Sequence, residues 1–163
     1  MKCKYNTIIG IDPDSEKSGI AVLDVPSKQF TGVQTLKFAE LIDLLASFSG
    51  KTDCMVYIEA GWLNHGNWHT SRTDNAFVAA KKGLGVGRNQ QTGMLIAEMC
   101  DAYQVPHTEV KPLKKCWSGT DKKIKHDELV QIVGDIKHTN QEGRDAVLIA
   151  WSQSGLPIKV AKQ

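Results

Sequence analysis

The 163-residue sequence predicts an α/β fold built on a mixed five-stranded sheet flanked by helices. Two observations carry this expectation. Three short apolar runs, about 5–12, 18–25 and 29–35, follow one another across Asp-Pro-Asp-Ser and Val-Pro-Ser-Lys turns, the pattern of an antiparallel meander. The rest alternates helical and strand-like segments, giving the order βββαβ-αβαα, so the later strands belong to β-α units.

The first run, in "IIGIDPDSEKSGIAVLD", has Ile8, Ile9 and Ile11 around Gly10, a strand buried on both faces. It ends in Asp12, a carboxylate that is costly to bury without a cation against it. Asp12 therefore either caps the Pro13-Asp14-Ser15 turn or holds a cation. Gly19 to Leu23 is the second strand. In "LKFAELIDLLASFSG", Leu36, Leu41, Leu44, Leu45 and Phe48 recur at helical spacing, with Gly50 as the stop. "CMVYIEA", 54–60, is a buried strand and again ends at an acid, Glu59.

A long polar and aromatic loop, "GWLNHGNWHTSRTDN", is expected at about 61–75. "AFVAAKKG" reads as a short helix closing at Gly83, and "NQQTGMLIAEMCDAY" as an amphipathic helix. The glycines of "KKGLGVGRNQ" would form the turn between them and expose Lys81, Lys82 and Arg88. This stretch matches neither GxGxxG nor a P-loop, so no nucleotide cofactor is expected. Met94, Leu95, Ala97 and Met99 would serve either an interface or the core, and most of them are assigned to the core. "VPHTEV" is the fifth strand, and "HDELVQIVGDI" and "EGRDAVLIAWSQSG" are the closing helices. With no repeat, low-complexity tract or linker, residues 1–163 read as one domain.

No apolar stretch approaches the ~20 residues of a membrane span. The start, Met-Lys-Cys-Lys-Tyr, runs straight into the first strand, so no signal peptide is expected. Cys3, Cys54, Cys100 and Cys116 are scattered, which suits a reducing, cytoplasmic compartment and neither a zinc site nor a disulfide framework. Charge is uneven: residues 60–125 carry 10 Lys/Arg against 5 Asp/Glu, while both flanks are slightly acidic. "KPLKKCWSGTDKKIK" alone holds Lys111, Lys114, Lys115, Lys122, Lys123 and Lys125. Such a run either contacts a phosphate backbone or is a solvated face.

Four acids stand out together. Asp12 and Glu59 each end an apolar strand, where ligand sites of α/β sheets gather. Glu142 and Asp145, three apart at the start of the last helix, share a face. First-turn acids also suit the helix dipole, and a strand-end acid also forms turns. All four gathered without a cation would repel one another and be driven toward protonation. Hard divalent ions prefer such oxygen ligands, and a pair of them can hydrolyse a phosphodiester. The acids and the lysines thus point to the same chemistry.

"IIGIDPDSEKSGIAVLD", "VYIEAGW" and "EGRDAVLIAW", in this order around "GRNQQTGMLIAEM" and "VPHTEVKPLKK", resemble a RuvC-type Holliday junction resolvase of the RNase H-like superfamily. The resemblance spans nearly the whole chain. It implies an RNase H-like fold and a Mg²⁺-dependent endonuclease acting on branched DNA, with two ions and Mn²⁺ able to substitute. It also implies a homodimer, whose dimer helix falls on "NQQTGMLIAEMCDAY". Its metal ligands fall on Asp12, Glu59, Glu142 and Asp145. Lys111 falls on a catalytic basic position after the fifth strand, and one of Lys122, Lys123 and Lys125 on a second. Asp14 departs from the family, which has Gly there; it reads as an outer ligand or a solvent-facing turn residue. His138, four residues before Glu142, sits where some RNase H-like nucleases place a product-release histidine.

Trp62, His65, Trp68, His69 and Arg72 cluster in the 61–75 loop, where rings and Arg72 either stack on unpaired bases or anchor the loop. His65 and His69 lack a third soft ligand nearby and read as surface residues. Trp117 and Trp151 read as packing residues. An RNase H-like nuclease acting on RNA, or an idle binding module of the same fold, are the rival readings. The four acids together argue against an idle module, because without a cation they are a repulsive liability.

Overall fold

The computed structural model describes residues 4–64 and 73–158. Strands β1 (Thr7–Asp12), β2 (Ser18–Asp24), β3 (Gln29–Leu36), β4 (Cys54–Glu59) and β5 (His107–Val110) form one sheet in the order β3-β2-β1-β4-β5. β1, β2 and β3 are antiparallel neighbours, whereas β4 runs parallel to β1 and β5 parallel to β4. The C-terminal ends of β1, β4 and β5 therefore share one edge of the sheet. The mixed five-stranded sheet expected from the sequence is the one observed.

Among the described residues, four α-helices cover the two faces: α1 (Phe38–Ala46), α2 (Ala76–Ala102), α3 (His126–Val133) and α4 (Gln141–Gln153). Alternation along the strands divides the core between them. Ile9, Ile11, Ile20, Val56 and Ile58 pack with Leu41 and Leu45 of α1 and Ile96 and Cys100 of α2. Ile8, Ala21 and Leu23 face the other way, onto Leu129 of α3 and Ala146, Val147, Ala150 and Trp151 of α4. Trp151 stacks on Phe30 and donates its indole N–H to the Pro157 carbonyl, so it packs as expected. No described helix is long and apolar enough to cross a membrane.

Two glycines let α4 settle directly onto the sheet. A Cβ at Gly10 of β1 would stand 2.3 Å from the Ala146 carbonyl oxygen, and one at Gly19 of β2 would stand 2.0 Å from that of Glu142. Both contacts are with backbone, which cannot swing aside.

The region around Gly83 corrects the sequence reading. The short helix, the turn and the amphipathic helix are one continuous 27-residue helix, α2. Glycine in a helix interior costs roughly 1 kcal/mol relative to alanine but does not end the helix. The described glycines with positive φ are Gly50, Gly134 and Gly155, none of them in α2. The true start is Asn75, whose side chain accepts the Val78 N–H at 2.9 Å, and Lys82 reaches back to Asp74 at 2.8 Å.

The inward stripe of α2 is also different from the expected one. Gly93, Ile96, Ala97 and Cys100 are buried, whereas Met94 and Leu95 lie off that stripe and are exposed. Met99 is partly buried against the core. Phe77 and Leu84, in the first part of the helix, are exposed at 77% and 57%.

Gly10→Ala and Gly19→Ala are each expected to lower the unfolding free energy by about 1–3 kcal/mol through overpacking. Gly32→Ala in β3, where an added Cβ meets nothing within 4 Å, is the control and should be near neutral. Urea denaturation of the three variants reads the difference, and equal stability of all three would disprove the close approach of α4.

Candidate functional site

Parallel pairing sets the first two acids side by side. Ile11 is in register with Ile58, so the next residue on each strand, Asp12 and Glu59, occupies the neighbouring position at a strand spacing of ~4.8 Å. Both lie two residues beyond the register pair Gly10–Tyr57, hence on the face that carries Gly10 and meets α4. The end of β4 is held by the Ala60 N–H, which donates to the Val110 carbonyl at 2.7 Å.

The second pair comes from the first turns of α4. Asn140 caps this helix, its side chain accepting the Gly143 N–H at 3.1 Å. Because the Glu142 backbone rests on Gly19 of β2, Glu142 and Asp145 are brought toward the ends of β1 and β4. Their charges register there. The Asp12 carboxyl is held well above its ordinary range, first by burial, then by the negative charges of Glu59 and Asp145, with Glu142 adding to the shift. Burial and then the charge of Asp145 push Glu59 up to about 7. Asp145 is also raised, chiefly by burial, with Glu142 contributing. The four expected acids therefore share one electrostatic site.

Two lysines oppose them. Lys115 lowers Asp12, Glu59 and Asp145, and Lys123 lowers Glu59 and Asp145. Lys115 is exposed and Lys123 half-buried, and with Lys114 both line a small pocket beside Glu59 and Asp145. Lys111, one residue beyond β5, is exposed, as are Lys114, Lys122 and Lys125. Lys81, Lys82 and Arg88 are exposed on α2, with Lys82 paired to Asp74. Arg72, Trp68, His65 and His69 lie outside the described residues.

The lysine-rich segment is closed on itself. Glu128 of α3 accepts the Ser118 N–H at 3.0 Å and the Lys125 N–H at 2.9 Å. Trp117 N–H donates to the Lys122 carbonyl and Gly119 N–H to that of Lys123. Trp117 packs on the cluster containing Ile124 and Leu129, as expected of a packing residue. It also lines a cavity of about 370 Å³ with Leu113, Lys114, Cys116, Leu148 and Ile158 among others.

Several positioning groups escaped the sequence reading. The Leu113 backbone amide opposes the rise of the Glu59 carboxyl. Gln141 donates to Asp145 Oδ1 at 2.8 Å while its own Oε1 accepts from Arg144 at 3.0 Å. Arg144 in turn donates to the Ile124 and Thr139 carbonyls. The i,i+4 spacing of Gln141 and Asp145 is a sequence signal for the first of these bonds.

Asp14 is a turn organiser. Its Oδ1 accepts the Glu16 N–H at 2.8 Å and its Oδ2 accepts from Asn89 of α2 at 3.0 Å. Trp62 anchors its segment, its ring against Gly93 and its N–H donating to Glu109 at 3.2 Å. His138 lies with its ring 4.7 Å from that of His126.

The donor set fits a hard divalent cation by its chemistry: oxygens only, excess negative charge, and partial desolvation. Among the described residues, no three carboxylate, imidazole or thiol side chains are already gathered closely enough to enclose an ion.

A mixed five-stranded sheet with a leading antiparallel meander and helices on both faces is consistent with an RNase H-like fold. Among solved structures, RuvC of T. thermophilus in complex with a Holliday junction substrate is similar, with a TM-score of 0.51. The identity is 13%, over 93% of this chain and 97% of that one, and the likeness is therefore one of fold. No family model and no curated protein matches the sequence.

Carboxyls held above their ordinary range favour the folded state when protonated, and that stability is lost as they ionise. Metal-free protein is therefore expected to lose thermal stability as pH rises from about 5 to 8, through the range near 7 where Glu59 titrates. Asp145→Asn removes one of the repelling charges and should flatten this fall, and adding Mg²⁺ should reverse it. Parallel melting-temperature profiles for wild type and Asp145→Asn, without metal, would show that the acids do not interact.

Proposed function

We propose that this chain is a divalent-metal-dependent endonuclease acting on branched DNA, four-way junctions foremost. The observation that carries the reading is the convergence of Asp12, Glu59, Glu142 and Asp145 at one sheet edge beside Lys115 and Lys123. The fold likeness to a protein solved with a Holliday junction supports the choice of substrate.

Asp12, Glu59, Glu142 and Asp145 are the residues that would hold the metal, Mg²⁺ or Mn²⁺. Two such ions supply activation of a water for attack at phosphorus and charge neutralisation at the leaving oxygen. The protein's own groups do the rest. Gln141 orients the Asp145 carboxylate. Lys115 and Lys123 bind the non-bridging oxygens of the phosphate being cut, and Lys111 is the third candidate for that role. Lys114, Lys122 and Lys125 extend the contact along the backbone, and Lys81, Lys82 and Arg88 broaden the basic surface, while Arg72 is a further candidate from the sequence alone. A second copy of the chain, related by a two-fold axis, would place two such sites for paired cuts on a symmetric junction.

Incubation with a labelled four-way junction, with and without Mg²⁺ or Mn²⁺, tests the reading against duplex, flap, RNA–DNA hybrid and structured RNA. Metal-dependent paired nicks in the junction are expected. Cutting of RNA alone would move the activity to RNA processing, and tight binding without cutting would make the chain a binding module. Asp145→Asn should abolish nicking with junction binding kept. Lys115→Ala and Lys123→Ala should each slow nicking by about a hundredfold, the scale of losing one charge-stabilising donor. Lys111→Ala should cost less, since Lys115 and Lys123 are the lysines whose charges act on the acids.

A further inference from the structure

One turn of α2, Asn89 to Gly93, touches both segments that leave the strand-end carboxylates. Beyond Asp12, the Ser15 N–H donates to Asn89 Oδ1 at 3.0 Å, and Asn89 Nδ2 donates to Asp14 Oδ2 at 3.0 Å. Asp14 also binds within its own turn, through the Glu16 N–H at 2.8 Å and through Ser18, whose Oγ accepts the Asp14 N–H at 3.1 Å. The post-β1 loop is thus braced both from within and from α2.

Beyond Glu59, the chain passes through Ala60 into a 3-10 turn over Gly61–Leu63. Gln90 lies over this turn, its Nε2 being 3.7 Å from where a Cβ of Gly61 would stand. Trp62 sits on the bare backbone of Gly93, where a Cβ would come within 2.6 Å of the indole and 3.1 Å of Pro13. Pro13 and Trp62, each following closely on a strand-end acid, therefore meet over the same helical residue. The Trp62 N–H, bonded to Glu109, ties this junction to β5.

Asp12 and Glu59 repel each other, and the proposed chemistry needs them at a fixed separation. We infer that the Asn89–Gly93 turn of α2 is a shared positioning element that sets the spacing of Asp12 and Glu59, through Asn89 on one side and Trp62 on the other. This rests on the reading of the site as a metal-dependent nuclease. Neither Asn89 nor Trp62 touches a reacting group, so both are positioning residues.

The polarity of the Asn89 bonds makes the inference testable. Position 89 must offer an acceptor to Ser15 and a donor to Asp14. Asn89→Asp keeps the acceptor and sets two carboxylates against each other. The exchange Asn89→Asp with Asp14→Asn restores the pair, because the new amide at 14 donates to the new carboxylate at 89 and still accepts the Glu16 N–H.

Wild type, Asn89→Asp and the double exchange, each as the full chain, are titrated with Mn²⁺ by calorimetry and followed by amide hydrogen exchange. Asn89→Asp is expected to bind Mn²⁺ at least about tenfold more weakly, the scale seen when an outer-shell partner is lost. Exchange should quicken at both 15–17 and 61–63, and the double exchange should recover both readouts. Unchanged Mn²⁺ affinity in Asn89→Asp, quickening confined to 15–17, or a folded double variant that fails to recover would each overturn the inference. Should Asn89→Asp fail to fold, Asp14→Asn alone, which loses the acceptor without a charge clash, makes the same comparison. A wild type that takes up no Mn²⁺ brings down the nuclease reading instead, and the exchange pattern then decides the inference by itself.

Discussion

The site depends on how closely α4 approaches the sheet. Gly10 and Gly19 let the helix backbone rest on β1 and β2 where any side chain would hold it off. That contact carries Glu142 and Asp145 toward Asp12 and Glu59, and it also removes water from them. Burial is accordingly the largest cause of the raised Asp12, Glu59 and Asp145 carboxyls, ahead of their mutual repulsion. A looser helix would relieve both effects and disperse the acids. The same packing that stabilises the core through Ala146, Ala150 and Trp151 therefore concentrates unfavourable charge at its rim.

The surrounding structure restrains that charge without cancelling it. The Leu113 backbone amide opposes the rise of Glu59 and Gln141 donates to Asp145, while Arg144 holds Gln141 and is itself turned onto backbone carbonyls. Only Lys115 and Lys123 act as opposing charges on the acids, among the groups whose effects are resolved there. Two lysines against four carboxylates leave an excess of negative charge in a partly desolvated pocket. The physical alternatives are protonation or a bound cation, and at neutral pH a cation relieves the site without giving up its carboxylates.

Much of this was legible in the sequence because it is local. Ile8, Ile9 and Ile11 announce a strand buried on both faces, and the turns around 13–17 and 25–28 announce the meander. The strand-end positions of Asp12 and Glu59 and the spacing of Glu142 and Asp145 follow directly. What the sequence did not show depends on contacts between distant segments. Glycine frequency suggested a break at 83–87, yet packing at Ile96 and Cys100 anchors α2 and the helix continues past its weak residues. The burial of Ile96 in place of Met94 and Leu95 depends on the angle at which α2 meets α1 and the sheet. Six lysines in one segment look alike as text; only the fold shows that Lys115 and Lys123 are the ones whose charges act on the acids. Asn89 lies 75 residues from Asp14, and nothing in either neighbourhood signals the bond between them.

The shape of α2 adds a mechanical consequence. Its buried residues, Gly93, Ile96, Ala97 and Cys100, all lie from Gly93 onward, and the stretch from Ala76 to Thr92 has no fully buried side chain. Gly83, Gly85 and Gly87 weaken that stretch by about 3 kcal/mol in propensity relative to alanine. It remains helical because elongation from an anchored segment avoids the cost of a new nucleus, and because Asn75 caps its far end. A rod rooted at one end transmits load to its root. Here the root begins at the Asn89–Gly93 turn, against the loops that follow Asp12 and Glu59. On the proposed reading, a second copy or a DNA arm pressing on Phe77, Leu84 or the basic residues between them would act on the spacing of the carboxylates through that turn. The length of the helix, of little use to the core, would then serve to connect what binds outside to the chemistry at the sheet edge.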